Sequence, residues 1–212
     1  LLPIDCTTAH NCQLVSNEKV AELVNKSSRF IGFASVDPAC EEAPRLVERA
    51  VKQLGLKGLK LDPALQQFYA NDKDRAYPVY QACTELNIPV MIHCGMSWAM
   101  VGLEKYAHPL QVQEVAIDFP SLQIIIPHFG WPWINETLML AMKYKNIYID
   151  TSIIYSGTPK EALQHVLAHQ IGITVLERSL PYQVVFGSNY PRADIRRSVR
   201  GIRALDMSCS LE

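Results

Sequence analysis

Residues 122–130 of the chain read LQIIIPHFG, and residues 88–95 read IPVMIHCG. Each stretch is a short apolar run that reaches a histidine and then a glycine, as expected of a strand that is covered on both faces and ends at a close approach of the backbone. Similar apolar runs occur at 1–5, 29–37, 56–62, 146–152 and 183–189. The sequence therefore predicts seven strands.

Longer segments separate these runs, and their apolar residues recur at helical spacing. This spacing predicts helices near 17–28, 41–54, 74–86, 109–118, 133–144, 159–170 and 193–204. An unbroken alternation of strands and helices indicates a parallel sheet, either in a doubly wound open sheet or in a (β/α)8 barrel.

The strand ends favour the barrel. No glycine-rich phosphate loop follows the first strand, whereas polar residues end most of the strands. These polar residues are Asp5, Asp37, Lys60, Asp62, His93, His128, Asp150, Ser152, Ser188 and Asn189. We expect one domain over residues 1–212, an α/β fold of the TIM-barrel type. Since only seven strands can be counted, we expect this barrel to lack its first strand.

The composition excludes several classes of protein. A net charge of −1 over 212 residues gives no basis for binding nucleic acid, and the apolar runs are too short to cross a membrane. The six cysteines form no CxxC pair and no metal-finger spacing, so we expect reduced thiols and a cytoplasmic protein.

Two histidines are the first candidates for chemistry. Because parallel strands present their carboxyl ends to one face, His93 and His128 are expected to share a site with Asn189. Imidazole suits zinc, but a catalytic zinc usually has three protein ligands, and the neutral amide of Asn189 binds metal weakly and cannot take a proton. A structural role for each histidine is the alternative.

At this point the sequence resembles the amidohydrolase-related family called amidohydrolase 2, which includes decarboxylases of the aminocarboxymuconate-semialdehyde type. Five motifs carry the resemblance in the family's order. They are GLKGLKLDP at 55–63, IPVMIHCG at 88–95, PSLQIIIPHFGW at 120–131, NIYIDTS at 146–152 and VVFGSNYPR at 184–192.

The resemblance implies roles for three residues. His93 corresponds to the family's fifth-strand metal ligand, and His128 to the sixth-strand histidine that activates water or polarises the substrate. Asn189 stands where the family has a catalytic aspartate. The resemblance also implies a divalent metal, with zinc as the expected ion, but the His-x-His pair of the first strand is missing here and we expect low or no occupancy. The family's C-terminal helix, with its Asn-Ala pair, is also missing.

Three residues are candidates for binding the substrate. Lys60 could contact an acidic substrate, Trp131 could wall a planar one, and Arg192 could hold a carboxylate with its planar guanidinium. The alternatives are an ion pair or loop cap for Lys60, lid packing for Trp131 and a solvated charge for Arg192.

The resemblance implies a metal-dependent hydrolase or decarboxylase that acts on a small carboxylated molecule. The alternative is an inactive, truncated or degenerate barrel that binds a ligand or assembles with itself. An unpaired sheet edge would favour such self-association, so a homo-oligomer is expected.

Overall fold

The computed structural model describes residues 1–152 and 157–207. Over these ranges the chain forms a two-stranded antiparallel hairpin and a five-stranded parallel sheet. The strands are β1 Asp5–Cys6 and β2 Cys12–Gln13 in the hairpin, and β3 Leu59–Leu61, β4 Val90–Ile92, β5 Ile124–Ile126, β6 Ile147–Asp150 and β7 Val184–Val185 in the sheet.

The parallel sheet follows the order of the sequence, with each strand paired to the next from β3 to β7. A doubly wound sheet would reverse its order at a switch point, whereas a barrel adds its strands in sequence. The α/β fold of a partial barrel is therefore confirmed, and the carboxyl ends of all five strands lie at one edge.

Helices follow the predicted positions closely. Each predicted helix is present within a few residues of its expected bounds. The helices are α1 Thr7–His10, α2 Asn17–Val24, α3 Ala43–Lys52, α4 Pro63–Gln66, α5 Tyr77–Glu85, α6 Gln111–Asp118, α7 Ile134–Lys143, α8 Pro159–Leu163, α9 Ile173–Ser179 and α10 Ile195–Arg203. A π-helix, Gln164–Ile171, continues α8, and 3-10 turns occur at Glu104–Tyr106 and Pro127–Gly130. None of the helices described combines the length and apolar character that crossing a bilayer requires.

The predicted strands at 29–37 and 1–5 form only in part. Residues 32–34 run beside β3 and share three backbone hydrogen bonds with residues 57–60, although they form only one isolated parallel bridge, between Ala34 and Leu59. Of residues 1–5, only Asp5 belongs to a strand, in the hairpin. The side chain of Asn17 explains part of this result. Its amide donates to the carbonyl of Ser35 at 2.9 Å and accepts from the Ser35 N–H at 2.9 Å, so it takes both backbone groups that a neighbouring strand would use.

The central strands are buried by helices packed around the sheet. Ile92, Ile124, Ile126 and Ile147 are fully buried, as the apolar character of their strands predicts. This core holds the strands rigidly beneath the polar residues at their ends, which is the geometry that a site at the sheet edge requires.

Candidate active site

The ends of four neighbouring strands carry the polar side chains of the candidate site. Lys60 lies in β3, His93 directly follows β4, His128 lies two residues beyond β5, and Asp150 ends β6. These groups lie close enough to affect one another's pKa values, and the region at these four strand ends is called the chamber below. The sheet order places them there, since each strand contributes its carboxyl end to the same edge.

The two imidazoles meet edge to face. The ring centroids of His93 and His128 lie 5.2 Å apart, with the ring planes at 66°. His93 Nε2 lies 3.4 Å from the carbonyl oxygen of Met96, which is a long contact. The expected convergence of these two histidines is therefore present in the structure.

An unusual turn positions His128. Its φ is +60°, Phe129 follows with φ of +52° and Gly130 with +62°, so three successive residues are left-handed. Non-glycine residues pay a conformational penalty in this region and hold it only where surrounding contacts require it. The His128 N–H donates to Asp150 Oδ1 at 2.8 Å, and the Trp131 N–H donates to the His128 carbonyl at 3.1 Å. These bonds fix the turn that brings the imidazole to the chamber.

Hydrogen bonds from the end of β6 also hold the His128 ring. Its Nδ1 lies 2.7 Å from Ser152 Oγ and 2.9 Å from the Ser152 carbonyl oxygen. The Ser152 N–H donates to Asp150 Oδ1 at 2.9 Å, and the Ser152 hydroxyl contacts the same oxygen. The Asp150 carboxylate is therefore linked to the His128 ring through the Ser152 hydroxyl.

Burial determines the protonation state of the two histidines. It lowers the pKa of His93 to about 4, against the opposing attraction of Asp62. It also lowers the pKa of His128, which the nearby Asp150 opposes. Both imidazoles are consequently neutral at pH 7 and each retains a nitrogen lone pair.

Lys60 has an uncommon environment. The residue is 6% exposed, and its Nζ atom is buried without a hydrogen-bond partner among the residues that the structure describes. Burial lowers the pKa of its amine, while Asp62 and Asp150 act in the opposite direction. Asp62 caps α4 by accepting from the Leu65 N–H at 3.2 Å, so the loop cap expected for this motif belongs to Asp62.

Trp131 links the turns that follow β4 and β5. Its carbonyl accepts from the Met96 N–H at 2.8 Å. A Cβ atom added at Gly95 would lie 2.5 Å from this carbonyl oxygen, which explains the glycine after His93. The backbone of the partly buried Trp131 therefore holds the turn after β5 against the turn that follows His93.

Arg192 is exposed, and its guanidinium carbon lies 5.5 Å from the ring centroid of Trp98. This cation–π contact joins the loop after β7 to the loop after β4. Arg192 thus has an aromatic neighbour, Trp98, and is more than a simple solvated charge.

Asn189 lies in the turn after β7, with φ of +55°, and its carbonyl accepts from the Arg192 N–H at 2.9 Å. In the same turn, Gly187 packs against Asp150 and Ser152. A Cβ atom added there would lie 3.0 Å from Asp150 Cγ and from Ser152 Cβ. Asp150 and Ser152 were visible in the sequence only as polar strand ends, and their contacts with His128 give them a place in the site.

The donor set does not by itself fit a metal ion. Within residues 1–152 and 157–207, no group of three or more His, Cys, Asp or Glu side chains is arranged to hold one. A catalytic zinc site uses about three protein ligands. His93 and His128 supply two imidazoles, and Asn189 supplies a neutral amide in place of a carboxylate.

Comparisons with known proteins found a matching family model and several relatives. The family model described as Amidohydrolase, Amidohydro_2, matches residues 6–209. The chain is 29% identical over 91 residues to the 2-amino-3-carboxymuconate-6-semialdehyde decarboxylase of Dictyostelium discoideum, which covers 42% of this chain and 24% of that protein. The matched regions span 11% to 48% of the curated relatives, less than half of each.

Two solved structures are similar in fold. An uncharacterized TIM-barrel protein of Bordetella bronchiseptica matches with a TM-score of 0.80 and 23% identity, over 98% of this chain and 70% of that one. The 5-carboxyvanillate decarboxylase of Novosphingobium aromaticivorans, solved with manganese and 3-methoxy-4-hydroxy-5-nitrobenzoic acid, matches with a TM-score of 0.65 and 20% identity. That match covers 96% of this chain and 66% of the decarboxylase.

Proposed function

The chain belongs to the amidohydrolase family, and we propose that it carries the substrate-binding and proton-transfer groups of a hydrolase or decarboxylase for a small carboxylated molecule. The observation that carries this proposal is the contact of the His93 and His128 rings in the chamber that also holds Lys60. A neutral imidazole pair beside a buried amine is suited to proton transfer and to binding an acidic ligand.

In this proposal His128 is the catalytic acid or base. Its ring is neutral at pH 7, so it can accept a proton from water or from the bound molecule and return it later. Asn189 contacts the reacting group through its amide, which can donate or accept a hydrogen bond without taking a proton. His93 is the metal ligand of the complete family site, and no step of this proposal passes through a metal.

Lys60, Trp131 and Arg192 form the proposed binding surface. Arg192 can hold a carboxylate in a planar, two-point contact, and its stacking on Trp98 limits the orientations of its guanidinium. Trp131 provides an apolar wall for a planar ligand. Lys60 supplies a donor that lacks a partner among the described residues, and a ligand oxygen would satisfy it.

The ligand class can be tested with a compound that a neighbouring structure contains. We predict that 4-hydroxy-3-methoxy-5-nitrobenzoic acid binds the chain, measured by isothermal titration calorimetry. Lys60→Met and Arg192→Met should each weaken binding by about tenfold or more, because each loses a charge-assisted hydrogen bond. The exposed residues Lys57 and Arg196 supply matched controls, and Lys57→Met and Arg196→Met should bind like the wild type.

Two results would contradict this assignment. A folded wild-type chain that does not bind the acid would exclude the proposed ligand class. Equal binding of the corresponding phenol without its carboxyl group would show that no carboxylate is recognised.

A second candidate function is a barrel that binds its ligand without turnover. It is supported by the incomplete metal-ligand set of the described residues and by the neutral side chain of Asn189. Since metal sites depend on ligand number and charge, we propose that a divalent ion, zinc included, occupies this chain at well below one ion per molecule.

Elemental analysis of the chain after dialysis against zinc or manganese measures this occupancy. Asn189→Asp should raise it, because a carboxylate binds these ions better than an amide. The control Asn25→Asp changes the same residue type at an exposed helix end and should have no effect. Stoichiometric metal in the wild type would show that the chain has a complete ligand set.

We also propose that the chain is a cytoplasmic protein that associates with itself. Cys6, Cys12, Cys40, Cys83 and Cys94 are free thiols, which is consistent with a reducing compartment.

The edge strand β7 supports the self-association. Among the described strands it pairs only with β6, and Val185 and the adjoining Phe186 are exposed there. Light scattering should give a molecular mass above that of one chain that rises with concentration, and Val185→Lys should lower it. A mass of one chain at every concentration would contradict the association.

A further inference from the structure

Asp150 and Ser152 form a hydrogen-bonded pair that the proposed function does not use. Asp150 Oδ1 accepts from the His128 N–H at 2.8 Å and from the Ser152 N–H at 2.9 Å, and it also contacts the Ser152 hydroxyl. The Ser152 hydroxyl oxygen lies 2.7 Å from His128 Nδ1. The Ser152 hydroxyl therefore lies between the Asp150 carboxylate and the His128 imidazole.

The donors and acceptors that meet at Ser152 determine where its hydrogen lies. A carboxylate can only accept hydrogen bonds, and a serine hydroxyl has a single hydrogen to donate. The hydrogen of Ser152 is therefore directed to Asp150, which leaves the hydroxyl oxygen as an acceptor towards His128. The Ser152 carbonyl oxygen, 2.9 Å from the same Nδ1, can also only accept.

His128 Nδ1 consequently faces two acceptors and must carry the hydrogen. In a neutral imidazole the other nitrogen, Nε2, then has the lone pair. We propose that Asp150 and Ser152 are positioning residues that hold His128 as the Nδ1–H tautomer and make Nε2 its proton-accepting nitrogen. The use of Nε2 on a bound molecule rests on the function proposed above, whereas the tautomer does not.

The end of β7 accommodates this arrangement. Gly187 packs so closely on the pair that an added Cβ atom would lie 3.0 Å from Asp150 Cγ and from Ser152 Cβ. Thr151 Oγ1 lies 3.1 Å from the Gly187 nitrogen and 3.3 Å from its carbonyl oxygen, which fixes the glycine beside the pair. Gly187 therefore leaves the space that Asp150 and Ser152 require.

Long-range ¹H–¹⁵N NMR of histidine-labelled protein distinguishes the two neutral tautomers at pH 7, and His128→Gln assigns the signal. We expect the wild type to show His128 as the Nδ1–H form alone. An Nε2–H form as the main species would overturn the proposal. This measurement requires neither a ligand nor turnover, so a chain that fails to bind the carboxylated probe can still confirm the tautomer.

Asp150→Asn tests the carboxylate. The new side chain keeps an accepting oxygen for the two backbone N–H groups but loses the negative charge, so the hydrogen bond that directs the Ser152 hydroxyl towards it is weaker. We expect the Nε2–H form to appear, as the Ser152 hydroxyl turns to donate to Nδ1. Asp194→Asn makes the same change at the exposed cap of α10 and should leave the His128 signal unchanged.

Ser152 variants complete the test and remain informative if Asp150→Asn does not fold. Ser152→Ala removes one of the two acceptors of Nδ1 and leaves the backbone carbonyl of residue 152, so the Nδ1–H form should remain the main species while some Nε2–H form appears. Ser152→Thr retains the hydroxyl and should keep the Nδ1–H form alone. A pure Nδ1–H signal in both Ser152→Ala and folded Asp150→Asn would show that the backbone carbonyl alone sets the tautomer, and would overturn the positioning role of the two side chains. Once a substrate is known, Asp150→Asn should lower kcat at least about tenfold with little change in KM.

Discussion

The carboxylate of Asp150 joins the ends of three neighbouring strands. One of its oxygens accepts from the backbone of His128 beyond β5 and from Ser152 beyond β6, while Gly187 beyond β7 packs against it. The left-handed turn at His128 depends on this contact, since its unfavourable backbone geometry is compensated by hydrogen bonds. The orientation of the imidazole, and with it the candidate site, therefore follows from one buried acid.

Beneath this layer the structure is apolar and regular. The strands β4, β5 and β6 bury Ile92, Ile124, Ile126, Ile147 and Ile149, and these side chains hold the strand ends in fixed positions. Most polar groups above them are satisfied by one another, as burial requires. Lys60 differs, because its buried amine has no hydrogen-bond partner in the described part of the chain. A ligand oxygen that accepted a hydrogen bond from this amine would offset the cost of burying it, so Lys60 is the favoured contact for a ligand.

Apolar periodicity predicted the sheet and the helix positions, because buried parallel strands leave a strong apolar signal. The positions of His93 and His128 at parallel strand ends predicted that the two residues meet. The strand predicted at 29–37 forms only in part, since the Asn17 side chain, 18 positions away, occupies both backbone groups of Ser35. The sequence pattern did not predict a role for Asp150, because that role depends on a hydrogen bond to His128, which is distant in the sequence.

We propose that the strand ends form one site for a small carboxylated molecule, with His128 as its proton-transfer group. A crystal structure of the chain with bound 4-hydroxy-3-methoxy-5-nitrobenzoic acid tests this site. We expect the ligand in the chamber, with one oxygen within hydrogen-bond distance of His128 Nε2 and another near Lys60 or Arg192. Ligand bound only outside the chamber, with His128 Nε2 turned away from it, would disprove the proposed site.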